Sequence, residues 1–199
     1  MTGYQDFVDI FNSGIFLRTE DIAQKYPFQK ALSSLYIIPT FFRGIYYLPA
    51  NRERKGHFIE NKQDFFTNLF NTRYGRKKWY WGLSTAARFY GIEWSATKIL
   101  EIVVLEKSKT INVSEKIISL KSKKSYRSAS LSKYYSSLDI NIIFIHKGQK
   151  QNLSNIKIDD AMGPICTKEQ IQHDIVNFSS KIRDPKLKKI YSRISAFNK

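Results

Sequence analysis

The chain has 199 residues, 42% of them hydrophobic and 15% aromatic, which is enough apolar mass for one full domain or two small ones and too much for long disorder. Its 33 basic against 17 acidic residues leave a net charge of +16, which points to a polyanionic partner, nucleic acid first and an anionic membrane surface second. No run of about 18 apolar residues exists, the N-terminal MTGYQDFVDI lacks the basic start and apolar stretch of a secretory signal, and the single Cys166 cannot form an internal disulfide, so a cytoplasmic protein without a membrane span is expected.

Residues 4–13 place Tyr4, Phe7, Val8 and Phe11 at the i, i+3, i+4, i+7 spacing of an apolar helical stripe, and Gly14 follows as a stop. Ile15-Phe16-Leu17 is too short for a helix. Thr19 ahead of Glu20 and Asp21 is a cap followed by acids, so a short helix is expected over about 20–26 with Ile22, Ala23 and Tyr26 inward and Pro27 at its end. A third helix repeats the stripe with Phe28, Ala31, Leu32 and Leu35. Ile37 to Phe41 and Ile45 to Leu48 are rich in β-branched and aromatic residues and read as two short strands turning at Gly44. Pro39 has no N–H to give, which puts its strand at an edge or makes the ladder irregular there. Residues 50–62, ANRERKGHFIENK, are polar and read as a linker.

Asp64 to Asn71 read as a helix with Phe65, Phe66, Leu69 and Phe70 inward. A basic turn then leads into a short aromatic strand, Lys78 to Trp81, and Ser84 is placed to cap a helix over Thr85 to Tyr90 that Gly91 ends. Residues 98–106 and 140–146 read as interior strands, with strand-like pieces near 110–113 and 116–121 and a basic run at 121–127. Thr167 and Gln170 match a capping box ahead of Ile171, Ile175 and Phe178. Asp184-Pro185 is a cap with a first-turn proline, and Leu187, Ile190, Tyr191 and Ile194 form the last stripe.

Helix, short helix, helix and a two-stranded ribbon are the order of a winged helix-turn-helix, in which the third helix reads the duplex and the ribbon is the wing. Off the apolar stripe of that helix stand Gln29, Lys30, Ser33 and Ser34, which suit base edges and phosphates and carry no negative charge. Singly, each is also an ordinary solvated helix position. Arg43 at the turn and Arg52, Arg54 and Lys55 beyond it are expected to meet phosphate. A second phosphate track is expected from Arg73, Arg76, Lys77, Lys78, Lys121, Lys123, Lys124 and Arg127. The charge is uneven: residues 1–60 hold seven basic and six acidic residues, while 61–130 hold fourteen and five. The N-terminal cations therefore matter only where the fold gathers them on one side.

His57, His146 and His173 have no partner acids or cysteines at ligand spacing, so neither a metal nor a cofactor is expected. No phosphate-cradling glycine motif is present. Cys166 reads as a buried or idle thiol. Nuclease chemistry needs acids that share a metal. Glu101 and Glu106 are an odd number of residues apart on one strand and face opposite sides. Asp159-Asp160 diverge likewise, and surface salt pairing is expected of all four. Trp79, Tyr80 and Trp81 would suit nucleic-acid stacking, but the apolar segments around them favour a place in the core.

The run RTEDIAQKY, ALSSLYIIP, FFRGIYYLP and then WYWGLSTAARFYGI resembles the AbiEi-like antitoxins of type IV toxin–antitoxin systems over roughly residues 5–106. The shared features are the R-G-x-Y of the wing, here Arg43-Gly44-Ile45-Tyr46, and the strand, small-residue helix and glycine of Trp79 to Trp81, Ser84 to Tyr90 and Gly91. Lys157-Ile158-Asp159-Asp160 stands where the family often carries an acidic–arginine pattern, without the arginine. The resemblance implies a DNA-binding repressor of its own operon on repeated promoter sites, paired with a nucleotidyltransferase toxin that the second domain counteracts. The expected architecture is α+β: an N-terminal winged helix-turn-helix over 1–56, then a basic mixed α/β domain over 63–199 ending in two helices. The other readings are a metal-dependent nuclease or nucleotidyl-transfer enzyme, and a winged-helix protein-interaction module.

Overall fold

Strand β1 (Ile15–Arg18), helix α1 (Thr19–Ala23), helix α2 (Phe28–Ser33), strand β2 (Ile38–Pro39) and strand β3 (Ile45–Leu48) follow one another, and the strands pair antiparallel in the order β1-β3-β2. The computed structural model describes residues 11–196 except positions 13, 24, 26, 122–127 and 181. Most of the helix expected over 4–13, with Tyr26 and most of the 121–127 run, therefore lies outside the described residues. Ile15 pairs with Leu48 and Leu17 with Tyr46, so alternation puts these four on one face of the sheet. That face packs on Phe11, Ile22, Ala31, Leu32 and Ile37. Phe16 and Tyr47 point the other way, and each ring lies 5.1 Å from Phe65 on helix α4 (Lys62–Tyr74). Both faces of the small sheet are thus covered.

Local chemistry sets the element ends. Gly44, at φ 78°, makes the tight turn, and its carbonyl accepts from the Thr19 N–H at 3.0 Å, tying the turn to the head of α1. Pro39 sits on the edge strand, as its missing N–H requires, but β2 spans only two residues. Helix α2 stops before its stripe is complete. Leu35 turns left-handed at φ 57° and the Tyr36 N–H donates to the Ala31 carbonyl at 3.0 Å, while Leu35 stays buried.

The expected linker is instead a helix, α3 (Asn51–Gly56). Its cause is Glu53, 3% exposed, whose carboxylate accepts from the Tyr47 hydroxyl at 2.7 Å and from the N–H groups of Ala50 at 2.9 Å and Glu60 at 2.8 Å. Asn61 then caps α4, accepting from the Asp64 N–H at 3.1 Å. Residues 116–121 are helical rather than extended. Helix α6 (Val113–Lys121) begins where the Asn112 side chain accepts from the Glu115 N–H at 3.2 Å and donates to its carboxylate at 3.1 Å.

Two compact units result: the described residues to Arg73 with Asn112–Asp139, and Tyr74–Ile111 with the described residues from Ile140 onward. A single cut between 56 and 63 does not separate them. Helix α4 and the pair α6 and α7 (Ser128–Ser137) belong with the N-terminal elements. The physical reason is aromatic: Phe65, Phe66, Phe70 and Tyr135 supply the rings that meet Phe16, Phe41, Phe42 and Tyr47.

The second unit holds the larger sheet, all but the terminal Asn112 of β6, built from β4 (Trp79–Trp81), β5 (Ile99–Val104), β6 (Lys109–Asn112), β7 (Ile142–Lys147), β8 (Ile156–Asp159) and β9 (Gly163–Cys166) in the order β6-β7-β5-β4-β9-β8. Strand β5 runs parallel to β7 and antiparallel to β4. Trp79, Tyr80 and Trp81 are fully buried, so the aromatic triplet is core. Helix α5 (Leu83–Phe89) starts from Gly82, and Ser84 lies inside the helix instead of capping it, with its N–H and hydroxyl donated to Glu101. Thr167 caps α8 (Lys168–Ser179), accepting from the Gln170 N–H at 3.3 Å. Asp184 caps α9 (Pro185–Ala196), accepting from the N–H groups of Lys186 at 2.8 Å and Leu187 at 3.2 Å. The stripe of Leu187, Ile190, Tyr191 and Ile194 is buried. The fold is α+β, and no helix among the described residues is long and apolar enough to cross a membrane.

Candidate nucleic-acid interface

Helix α2 is six residues long and exposes Gln29, Lys30 and Ser33, with Ser34 half-buried at its end. The hydroxyls of Ser33 and Ser34 both donate to the Lys30 carbonyl, at 3.1 and 2.5 Å. In this state they can accept from a base amino group, and donation to a phosphate requires a rotamer change. At the other end of the helix the Phe28 ring meets Tyr46 edge-on at 5.0 Å. Tyr46 is half-buried. Its phenol pKa is raised by burial, against the pull of the Thr19 side-chain hydrogen bond and the positive charge of Arg43. The start of α2 and the exposed Arg43 therefore both bear on one tyrosine.

The rest of the turn points inward. Phe41 and Phe42 are 1% and 6% exposed. Phe41 stacks with Phe66 at 6.2 Å and meets Tyr135 at 5.0 Å, and the Tyr135 hydroxyl donates to the Pro39 carbonyl. Phe42 meets Phe70 at 6.2 Å. Of the ribbon turn, Arg43 is the exposed side chain, with Gly44 half-buried behind it.

The other candidates divide by what they already touch. Arg52 pairs with Glu60 at 2.9 Å, an exposed bridge of small energetic worth. The Arg54 guanidinium lies 5.0 Å from the Tyr36 ring and that of Arg73 lies 5.9 Å from Phe42, so both cover aromatic surface. Lys55 is exposed. Arg76, Lys77 and Lys78 are exposed in the turn before β4, in the second unit, whereas Lys121 ends α6 in the first. Lys123, Lys124 and Arg127 lie outside the described residues. Sequence reasoning passed over Lys186, Lys188 and Lys189, which α9 leaves exposed. The signal was present, since a buried stripe at Leu187, Ile190, Tyr191 and Ile194 forces the intervening lysines outward.

Glu101 corrects the expectation of surface salt pairing. It is fully buried on β5. Its carboxylate accepts from the Ser84 N–H at 3.0 Å, the Ser84 hydroxyl at 2.5 Å and the Tyr191 hydroxyl at 2.5 Å, and lies 3.0 Å from His146 Nε2. Burial, and then the charge of Glu101, push the Tyr191 phenol well above its ordinary value. Burial lowers the Arg88 guanidinium, opposed by Glu101 and Glu93. Glu106 is exposed beyond the end of β5, and Asp159 accepts from the N–H groups of Ala161 and Met162 at 2.9 Å each. Among the described residues no three His, Cys, Asp or Glu side chains gather where a metal could sit. Cys166 is buried and its thiol pKa is pushed up by burial and by Asp174, the opposite of an activated nucleophile. Comparison of the chain with known protein families, curated proteins and solved structures finds no match.

Proposed function

We propose that the chain is a double-stranded DNA-binding transcriptional regulator, an autorepressing antitoxin of the type IV kind, acting in the cytoplasm by binding and not by catalysis. In this reading α1, α2 and the β1-β3-β2 ribbon are a winged helix-turn-helix. The observation that carries it is the chain order strand, helix, helix, strand, strand with β3 central, and Tyr46 of β3 contacting Phe28 at the head of α2. Gln29 suits a bidentate pair to adenine, and Lys30, Ser33 and Ser34 suit bases or phosphates. Arg43 and Lys55 take phosphate directly. Arg52 reaches one after releasing Glu60, at little cost for an exposed pair. The net charge of +16 supports a polyanionic partner, with Arg76, Lys77, Lys78 and the α9 lysines as further backbone contacts. The second unit is assigned to counteract a paired nucleotidyltransferase toxin. A mobility-shift titration against the chain's own upstream DNA beside random DNA tests the reading at several salt concentrations. Tighter binding to the upstream repeats is expected, and equal binding to both overturns it.

One observation favours a second reading, a winged-helix protein-interaction module. Phe41 and Phe42 anchor the ribbon turn inside its own unit, so of that turn Arg43 alone is left to reach a duplex. Under that reading, combining Lys30→Glu with Arg43→Glu leaves nucleic-acid binding untouched. A nuclease or nucleotidyl-transfer enzyme gains no such support, because Glu101 already meets Ser84, Tyr191 and His146 inside the core and Glu106 lies beyond the end of the strand. Divalent-metal-dependent turnover lost in E106Q would restore it.

A further inference from the structure

The second unit carries a cleft of about 380 Å³ where the sheet ends at β6 and β7 and the chain passes from α8 to α9. That volume is at the small-molecule scale. Its lining combines three chemistries. Phe144, His146 and Phe178 form an aromatic side. Phe144 and His146 project from the same face of β7, with ring planes 21° apart, and Phe178 meets His146 at 5.1 Å. Phe144 is half-buried and so offers ring surface.

Lys109 and Arg183, both exposed, supply positive charge at the rim. The nearby Asp184 carboxylate is committed to the first N–H groups of α9. The Ser108 hydroxyl accepts from the Lys147 N–H at 3.0 Å, which leaves its own hydrogen to donate. His146 links the cleft to the core. Its Nε2 lies 3.0 Å from the Glu101 carboxylate, which orients the ring. The buried carboxylate thus holds the imidazole in one orientation beside Phe144 and Phe178.

We infer that this cleft binds a nucleoside monophosphate, with the base over Phe144, the phosphate between Lys109 and Arg183, and the Ser108 hydroxyl donating to it. The inference does not rest on the DNA-binding reading, and its site lies wholly within the second unit. Isothermal titration of the full chain with AMP, GMP, CMP and UMP tests it, beside adenosine, inorganic phosphate and a 5′-phosphorylated dinucleotide. At least one mononucleotide is expected to bind with a dissociation constant below about 1 mM. Adenosine and inorganic phosphate should each bind about tenfold more weakly or not at all.

K109A/R183A changes only exposed side chains and should weaken binding at least about tenfold, through loss of charge-assisted contacts. F144L should weaken it while F144Y retains it. K30E/R43E, in the other unit, should leave nucleotide affinity unchanged, which separates this site from any DNA surface. The inference is overturned if no mononucleotide binds, if phosphate alone binds as tightly, or if K109A/R183A has no effect. It is also overturned if the dinucleotide binds about tenfold tighter than AMP, which would make the ligand a nucleic-acid end.

Discussion

Removing the Glu101 carboxylate should cost the second unit more stability than any change on its surface. Four groups converge on it: the Ser84 N–H and hydroxyl, the Tyr191 hydroxyl and His146 Nε2, at 2.5 to 3.0 Å. Glu101 itself is 0% exposed, so these groups are held by its carboxylate and not by bulk solvent. Glu101→Ala strands these donors, and each unsatisfied buried polar group costs about 1–3 kcal/mol. The losses are shared within one network and do not simply add, so about 3–5 kcal/mol is expected, the range for breaking a buried charged cluster. Glu101→Gln keeps the shape and one acceptor oxygen but sets an NH2 against a donor, so about 1–3 kcal/mol is expected. Urea unfolding followed by tryptophan fluorescence reads the unit cleanly, because Trp79, Trp81 and Trp94 all lie within it. With a urea slope of about 1–3 kcal/mol per molar, the alanine variant should lower the midpoint by at least about 1 M. A shift below a few tenths of a molar in E101A would refute the view that this carboxylate organises the core.

Phe41→Ala should destabilise the first unit by about 3–5 kcal/mol, because its 1%-exposed ring leaves a cavity beside Phe66 and Tyr135. Amide exchange in β2 and β3 should accelerate, and unchanged protection would mean the turn is not anchored. Tyr46, Tyr90 and Tyr191 all have raised phenol pKa values, with burial the largest cause in each. The unfolded chain gives up these protons first, so their contribution is full below about pH 10 and fades as pH rises through the raised values. The alkaline loss of stability should flatten in Y191F. Burial pushes Glu93 up, but its hydrogen bonds with Ser95 and Arg193 prevail and hold it below the usual carboxylate range. Its contribution is full above about pH 4.3 and is lost as pH falls through the depressed value. R193A should therefore move acid unfolding to higher pH, and an unmoved acid midpoint would show the pair to be idle.

What the sequence made legible was local. The stripes of α2 and α9, the turn at Gly44, the edge position of Pro39 and the caps at Thr167 and Asp184 each follow from residues within a turn or two of one another. What escaped was set by partners distant in the chain. Glu101 reads as a strand-surface acid until Ser84, His146 and Tyr191 close on it. Phe41 and Phe42 read as part of a projecting ribbon until Phe66, Phe70 and Tyr135 cover them. In residues 50–62 the many charges hid Glu53, whose buried carboxylate turns a polar stretch into a helix. Residues 116–121 carry the β-branched character of a strand, and the Asn112–Glu115 cap overrides it. The stop of α2 at a left-handed Leu35 carries no glycine to announce it.

The salt dependence of duplex binding by the wild-type chain and by K30E/R43E tests the central claim most directly, because both positions are exposed and both are assigned to one DNA-facing surface. The account predicts at least about a tenfold loss of affinity for the upstream repeats, with the plot of log affinity against log salt flattened by about two units as two phosphate contacts disappear. Unchanged affinity and an unchanged slope in the double variant would contradict it.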